Sequence, residues 1–386
     1  MHITYISHAR FPTEKAHGKQ IAEVCSALSS IGNDVDLVCP TIRNNIHVSA
    51  HEYYGLGDTF AIKYLHNFDA TAHWWVPGIL RFGLTMLCYR RALKQYFLQH
   101  SSDLVYVRSP LLLPTLLDSG VPVVLELHAI PKRARSYLVK QCMRCKLVVC
   151  LTTLMADELV ELGVERDCIV VEGDGVDLSR FTELPSSDEI RNKYDLPKKR
   201  KLVGYVGSLV TQNTIEKGVG ELIDALGILK ERGEESFGWI VGGPKSWQKK
   251  YQKHAHDIGL TGVDIRLQER IPAPDVAAAL SACDVLVYPA PTSSHPFFLR
   301  YTSPLKIFEY MAADKIIVSA DIPPIREIAD ETAVVFCKPG DAKSLADALQ
   351  TALESDPSVQ SKARIAIAKH YSWEKRMQRI LQSATL

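Results

Sequence analysis

Apolar positions in this chain fall into two alternating textures. Short runs in which most residues are apolar are separated by longer stretches in which apolar residues recur every three or four positions. Runs of the first kind lie at 2–7 (HITYIS), 34–39 (DVDLVC), 103–107 (DLVYV), 121–127 (VPVVLEL) and 146–152 (KLVVCLT). They predict β-strands buried on both faces, as in parallel sheets covered by helices. Between the first two, Ile21, Val24, Cys25, Leu28 and Ile31 recur at helical spacing, which predicts a helix over 19–31 with Gly32 at its C′ position.

The alternation stops near 178–200, where LSRFTELPSSDEIRNKYDLPKKRK is polar, contains proline and ends basic. This stretch reads as a linker followed by a short helix. Strand patterns resume at 201–209, 237–243, 283–289 and 315–321, with helices predicted over 217–232 and 246–258 and across the apolar stretch 305–313. The fold class is therefore α/β, with two Rossmann-like, doubly wound parallel-sheet domains at 1–178 and 179–370. Ligands of such sheets bind at the carboxyl ends of the strands, and two sheets facing each other would line a cleft.

Composition narrows the function. The 386 residues are 46% hydrophobic and 23% charged with a net charge of +1, an ordinary globular balance with nothing that points to nucleic acid. The N-terminus reads as a strand and has no basic, then apolar, secretory pattern. The most apolar window, 73–97, is broken by Arg81, Arg90 and Arg91, so no membrane span is expected. Nine scattered cysteines fit reduced thiols and a cytoplasmic protein. Cys142 and Cys145 form a lone C-x-x-C without the further ligands a zinc site needs, and the Asp34–Asp36 pair sits within a strand pattern, so no metal is expected.

Four stretches carry candidate chemistry. In YTSPLKIFEYM, Ser303 suits a helix N-cap and Pro304 the first helical position, leaving the amides of Leu305 and Lys306 to face an anion. Glu309 lies five residues on, about 7.5 Å along the axis, an offset that suits a ribose diol beside a diphosphate. The plain alternative is a Lys306–Glu309 surface pair. In YVGSLVTQNTIEKG, Gly207 follows a strand and Lys217 stands at the start of the next helix, where it either neutralises phosphate or is simply solvated. In FPTEKAHGKQ, Gly18 offers amides at a helix start and His17 is a polar loop residue. In VVLELHAI, His128 ends a buried strand, either pointing into a cleft or satisfied structurally.

Taken in order, these stretches, with IVVEGDGVDLSRF (169–181), resemble the family 4 retaining glycosyltransferases of GT-B fold over nearly the whole chain. The closing YSWEKRMQRIL resembles the family's last helix, which implies that 371–386 cross back to the first domain. The resemblance implies that Glu309 binds the ribose of a nucleotide-sugar donor. Lys217, the Gly207 loop with Ser208, and Tyr301, Thr302, Ser303, Pro304, Leu305 and Lys306 would hold the diphosphate side. Gly18 would sit beside the donor, His128 would face the transferred sugar, and Arg270 and Ile271 would lie near the base. UDP is the favoured nucleotide. No cofactor is implied, because the nucleotide sugar is a co-substrate.

The pattern departs from the family at two places. Tyr301 stands where a glutamate often precedes the second by eight residues, and Ser208 where an arginine often follows the strand glycine. Arg300 or Lys306 would then supply the missing cation. These departures motivate a rival reading as a non-catalytic sugar-nucleotide-binding subunit, with a GT-B epimerase as a third. Finally, Trp74 and Trp75, aliphatic residues and three arginines in 73–97 suit either a helix packed on the sheet or a peripheral face resting on anionic lipid at the inner side of a membrane. The latter fits a glycan or lipid-linked acceptor.

Overall fold

The computed structural model describes residues 1–211, 215–292 and 295–385. The chain forms two compact units, Met1–Asp174 with Trp373–Leu386, and Gly175–Ser372. Residues 212–214, part of the polar loop expected before Lys217, lie outside the described residues.

The first unit runs β1 (His2–Ile6), α1 (Ala16–Ser30), β2 (Asp34–Pro40), α2 (Ala50–Tyr54), β3 (Ala61–Leu65), α3 (Gly78–Gln99), β4 (Leu104–Val107), α4 (Leu113–Leu117), β5 (Val123–Leu127), α5 (Arg135–Cys142), β6 (Leu147–Cys150), α6 (Thr153–Glu161) and β7 (Ile169–Val171). Its seven strands are parallel in the order β3-β2-β1-β4-β5-β6-β7. Central strands β1, β4, β5 and β6 are buried along nearly their whole length, which is why their sequences are continuously apolar. Tyr5 and Tyr106, register partners on β1 and β4, stack at 5.3 Å within this core.

The second unit runs α7 (Ser187–Lys193), β8 (Lys201–Val206), β9 (Val210–Thr211), β10 (Ile215–Glu216), α8 (Val219–Glu231), β11 (Ser236–Val241), α9 (Lys245–Asp257), β12 (Ile265–Gln268), α10 (Asp275–Ser281), β13 (Val285–Tyr288), α11 (Leu305–Ala312), β14 (Ile316–Ala320), α12 (Pro323–Arg326), β15 (Val335–Cys337), α13 (Ala342–Glu354) and α14 (Ser361–His370). Six strands form a parallel sheet, β12-β11-β8-β13-β14-β15, while β9 and β10 make a small antiparallel pair. The segment expected as a linker belongs to this unit, and α7 within it opens with a capping box between Ser186 and Glu189. The chain then returns to the first unit as α15 (Trp373–Thr385). There α15 packs against α1 and β6 with Trp373, Arg376, Met377, Ile380, Leu381 and Ala384 buried.

Both parallel sheets reverse their winding once, between β1 and β4 in the first unit and between β8 and β13 in the second. The crevice outside the strand ends at such a reversal is where doubly wound sheets take ligands. In the first unit it is flanked by the loop after β1 and by Arg108 after β4, with His128 one strand further on. In the second it is flanked by Gly207 after β8 and by the segment that follows β13.

Candidate active site

In the second unit, β8 ends at Gly207, whose φ of 147° suits glycine. A Cβ there would lie 2.0 Å from Lys306 Cε. The missing side chain is therefore what lets Lys306 cross the end of the strand. Lys306 Nζ donates to the Tyr205 hydroxyl at 3.1 Å and sits over the Tyr205 ring, 4.7 Å from its centroid. Lys217, just before α8, places its ammonium 5.1 Å from the Phe297 ring. Both lysines are half-buried. Burial lowers the Lys217 pKa to about 8. Burial, then the neighbouring charge of Lys217, pushes Lys306 well below its ordinary value, against the pull of Glu309. Two mutually repelling, partly desolvated ammonium groups at a strand-end crevice are relieved by an anion.

Helix α11 begins one residue later than expected. Pro304, with φ −80° and ψ 111°, occupies the cap position instead of Ser303, and no side chain caps the helix. Proline lacks an N–H and prefers an extended preceding residue, so the helical path opens only at Leu305. The Leu305 and Lys306 amides, in the first turn, have no carbonyl one turn behind them. Thr302 and Ser303 are buried beside this end, Pro304 and Leu305 are half-buried, and Glu309 is half-buried among the buried Ile307, Phe308, Tyr310 and Met311. Tyr301, in the wide helical turn Phe297–Tyr301, is buried.

Other predicted donor residues have local partners. Ser208 is exposed, but its hydroxyl donates to the Val210 carbonyl at 2.5 Å, and its own carbonyl accepts from the Tyr205 hydroxyl at 2.6 Å. Arg270 is exposed beside Gly243 at the end of β11, and Ile271 packs on the core of the second unit.

In the first unit, Gly18 is the third residue of α1 and its amide already donates to the Lys15 carbonyl at 2.9 Å. A Cβ at Gly18 would lie 2.1 Å from the Tyr54 hydroxyl, which bonds to both the N–H and the carbonyl of Thr13 at 2.8 Å. The Gly18 amide is thus engaged within the helix start, and glycine stands there because Tyr54 packs against it.

His128 follows β5 with its Nε2 2.7 Å from Glu126 Oε1. Glu126 is fully buried and also accepts from Gln20 Nε2, Tyr106 Oη and, at 3.0 Å, Arg376 Nη2. Burial acts to raise the Glu126 pKa, but Arg376 first, then His128 and Tyr106, outweigh it and hold the carboxyl well below the usual range. Burial and the Arg108 charge push the His128 pKa down to about 4, against the pull of Glu126. His17, half-buried nearby, is also lowered to about 4 by burial and Arg108. Arg108 Nη1 donates to Gln20 Oε1 at 2.8 Å. His128 is satisfied from below by Glu126 and keeps an edge toward solvent, with its side chain 18% exposed.

Sequence reasoning missed Gln20, Arg108, Glu126 and Arg376. Two carried a signal. Glu126 interrupts an otherwise apolar buried strand, and Arg376 falls on the stripe that α15 buries.

Cys142 and Cys145 are buried, and burial pushes both thiols up to about 12, which opposes thiolate chemistry. Helix α3 buries Thr85, Met86, Tyr89, Leu93 and Tyr96, yet leaves Ile79, Leu80, Phe82, Leu84 and Leu87 exposed beside Trp74 and Trp75. Among the described residues no helix is long and apolar enough to cross a membrane.

Residues 186–370 match the family described as Glycosyl transferases group 1, and residues 18–180 match Glycosyltransferase Family 4. Together they span most of the sequence, and the chain belongs to the family 4 glycosyltransferases. Its two parallel-sheet units are the halves of a GT-B fold. Sucrose-phosphate synthase from Thermosynechococcus elongatus aligns over 99% of this chain and 97% of its own, with TM-score 0.75 and 18% identity. A glycosyltransferase from Rickettsia africae aligns over 100% and 97%, with TM-score 0.74 and 15% identity. Anabaena HepE, crystallised with UDP-glucose, aligns over 100% and 99%, with TM-score 0.69 and 16% identity. No curated protein matches the sequence significantly.

Proposed function

We propose that this glycosyltransferase moves a hexose from a UDP-sugar to a glycan, lipid-linked or small-molecule acceptor, with retention of anomeric configuration and without a resident metal. The first unit serves the acceptor side and the second the donor. The observation that carries the reading is the half-buried lysine pair, Lys217 and Lys306, beside the uncapped start of α11. In this reading the lysines and the Leu305 and Lys306 amides hold the diphosphate, Glu309 accepts from the ribose hydroxyls, and His128 meets the transferred sugar. Rupture of the sugar–phosphate bond builds negative charge on the leaving oxygen. Preorganised cations and amides at that oxygen lower the barrier by several kcal/mol. They supply the charge that a metal supplies in other transferases. The acceptor hydroxyl attacks from the face the diphosphate leaves, and no covalent nucleophile is assigned. The HepE complexes with UDP and UDP-glucose support UDP as the nucleotide.

A binding-only subunit is favoured by two observations: Tyr301 is a buried aromatic where the family often has a carboxylate, and the Ser208 hydroxyl is tied to Val210. One panel decides. Nucleotide release from UDP- and GDP-sugars with candidate acceptors should be fastest with a UDP-hexose. Binding without release across the panel leaves only the subunit reading.

The surface around α3 supports a place for the reaction, the inner face of an anionic membrane. Trp74 is 88% exposed and Ile79 92%. No acidic residue occurs between Asp69 and Asp103, while Arg81, Arg90, Arg91 and Lys94 fall in that stretch. An aromatic and aliphatic face with a basic surround matches an interfacial helix. The protein should float with anionic liposomes and stay behind with zwitterionic ones, and failure to float with either removes this part of the proposal.

A further inference from the structure

The carboxylate beneath His128 is held from the opposite end of the chain. Glu126 and Arg376 are 250 positions apart, both fully buried, and bonded at 3.0 Å. Arg376 is itself pinned, with Nε donating to the Gly173 carbonyl and Nη2 to the Glu172 carbonyl at 3.3 Å. One helical turn on, Arg379 forks onto the Glu172 carboxylate at 2.6 and 2.7 Å. Helix α15 therefore cannot slide without breaking a buried ion pair, which is costly.

The donor count on Glu126 fixes more than position. Oε1 accepts from Gln20 and Oε2 from Tyr106 and Arg376. With Arg376 paired to it, the carboxylate has no proton to give, so the bond to His128 must use a proton on Nε2. The imidazole is neutral at ordinary pH, since burial and Arg108 lower its pKa to about 4. A neutral ring with Nε2–H carries its lone pair on Nδ1.

We propose that Arg376 is a positioning residue for His128: by pairing with Glu126 it keeps the acceptor for His128 Nε2–H in place, so that the ring presents an Nδ1 acceptor to a substrate hydroxyl. The proposal rests on the reading of His128 as the residue that meets the transferred sugar. Without Arg376, burial favours a protonated Glu126, which would donate to Nε2, move the ring proton to Nδ1 and replace an acceptor with a donor. The charged and titratable groups facing this pair are Tyr5 on β1, His17 on α1, Tyr106 and Arg108 at β4, Asp174 after β7 and Arg376 on α15.

The test is histidine nitrogen NMR on the full chain, with the His128 signal assigned by its loss in His128→Gln. The unmodified protein should show the Nε2–H tautomer and keep His128 neutral well below pH 6. An Nδ1–H tautomer or an ordinary imidazole titration overturns the proposal whatever any variant does. Arg376→Met should shift His128 toward Nδ1–H and lower kcat for nucleotide release from UDP-sugar at least about tenfold, the worth of one misplaced hydrogen bond, with KM little changed. Arg376→Lys should restore both. A folded Arg376→Met protein with unaltered tautomer and kcat also overturns it. If instead His128→Ala turns over normally, the sugar-contact reading fails while the tautomer assignment stands.

Discussion

The two crevices treat charge in opposite ways. In the first unit, Glu126 receives four donors and its charge is balanced by Arg376, so the polar groups below His128 are answered within the protein. In the second, Lys217 and Lys306 repel each other beside a tyrosine hydroxyl and two aromatic faces, and the charge of Glu309 offsets only part of the cost. A saturated network fixes geometry and gains little from a ligand. A partly compensated pair costs folding energy until a ligand supplies more opposite charge. On the proposed function, the first crevice would orient and the second would capture an anion.

The contrast is most exposed to failure at the buried ion pair. Glu126→Gln leaves Arg376 charged without its counterion, and should cost about 3–5 kcal/mol in denaturant unfolding. A loss below about 1 kcal/mol would mean that the pair is not saturated in the way described. Next comes anion capture itself. Lys217→Ala or Glu309→Ala should reduce turnover at least about a hundredfold in a folded protein, with Lys217→Ala raising rather than lowering the melting temperature, and normal turnover in either purified variant would remove that residue from the site. A smaller effect follows from pH. The free-state pKa of Lys217 is about 8 and a bound diphosphate must raise it. Binding therefore takes up a proton wherever pH lies above the free value and below the bound one. UDP-sugar affinity should hold below pH 8 and fall by up to about tenfold per unit above it, with proton uptake visible by calorimetry in two buffers. Affinity that is level to pH 9.5 contradicts the lowered lysine. The smallest effect on chemistry is expected at α3. Trp74→Ser with Trp75→Ser should abolish flotation with anionic liposomes yet leave release with a water-soluble acceptor within about twofold. A large catalytic loss there would show that the contrast is not confined to the strand ends.

What could be read from the sequence follows burial. Each strand predicted from apolar runs (β1, β2, β4, β5, β6, β8, β11, β13 and β14) has a neighbour on both sides. The four parallel strands that escaped, β3, β7, β12 and β15, are the edges of the two sheets. None is buried throughout: AIKYL of β3 is partly exposed at every position, and IVV of β7 is only three residues long. The edge strands β7 and β15 are only three residues long, and β3 and β12 carry Lys63 and Arg266 inside them, so their strand signal is short or broken. The start of α11 was legible to within one residue, because proline fixes a boundary but leaves open which side of it is the cap. The Glu126–Arg376 pair was not legible, because a single sequence does not announce a contact between residues 250 positions apart. The same holds for Gly18, whose reason is a tyrosine hydroxyl from α2.

Gly175 and Ser372, the first and last residues of the second unit, lie near one seam: Val176 bridges Ser372 in parallel and its amide donates to the Tyr371 carbonyl at 3.0 Å. Topologically the second unit is a cassette, inserted into the first just upstream of α15, with entry and exit side by side. Paired ends of this kind tolerate excision and grafting. A homologous second unit could be exchanged at 175 and 372 without rerouting the backbone, while α15 stays paired to Glu126 of the first.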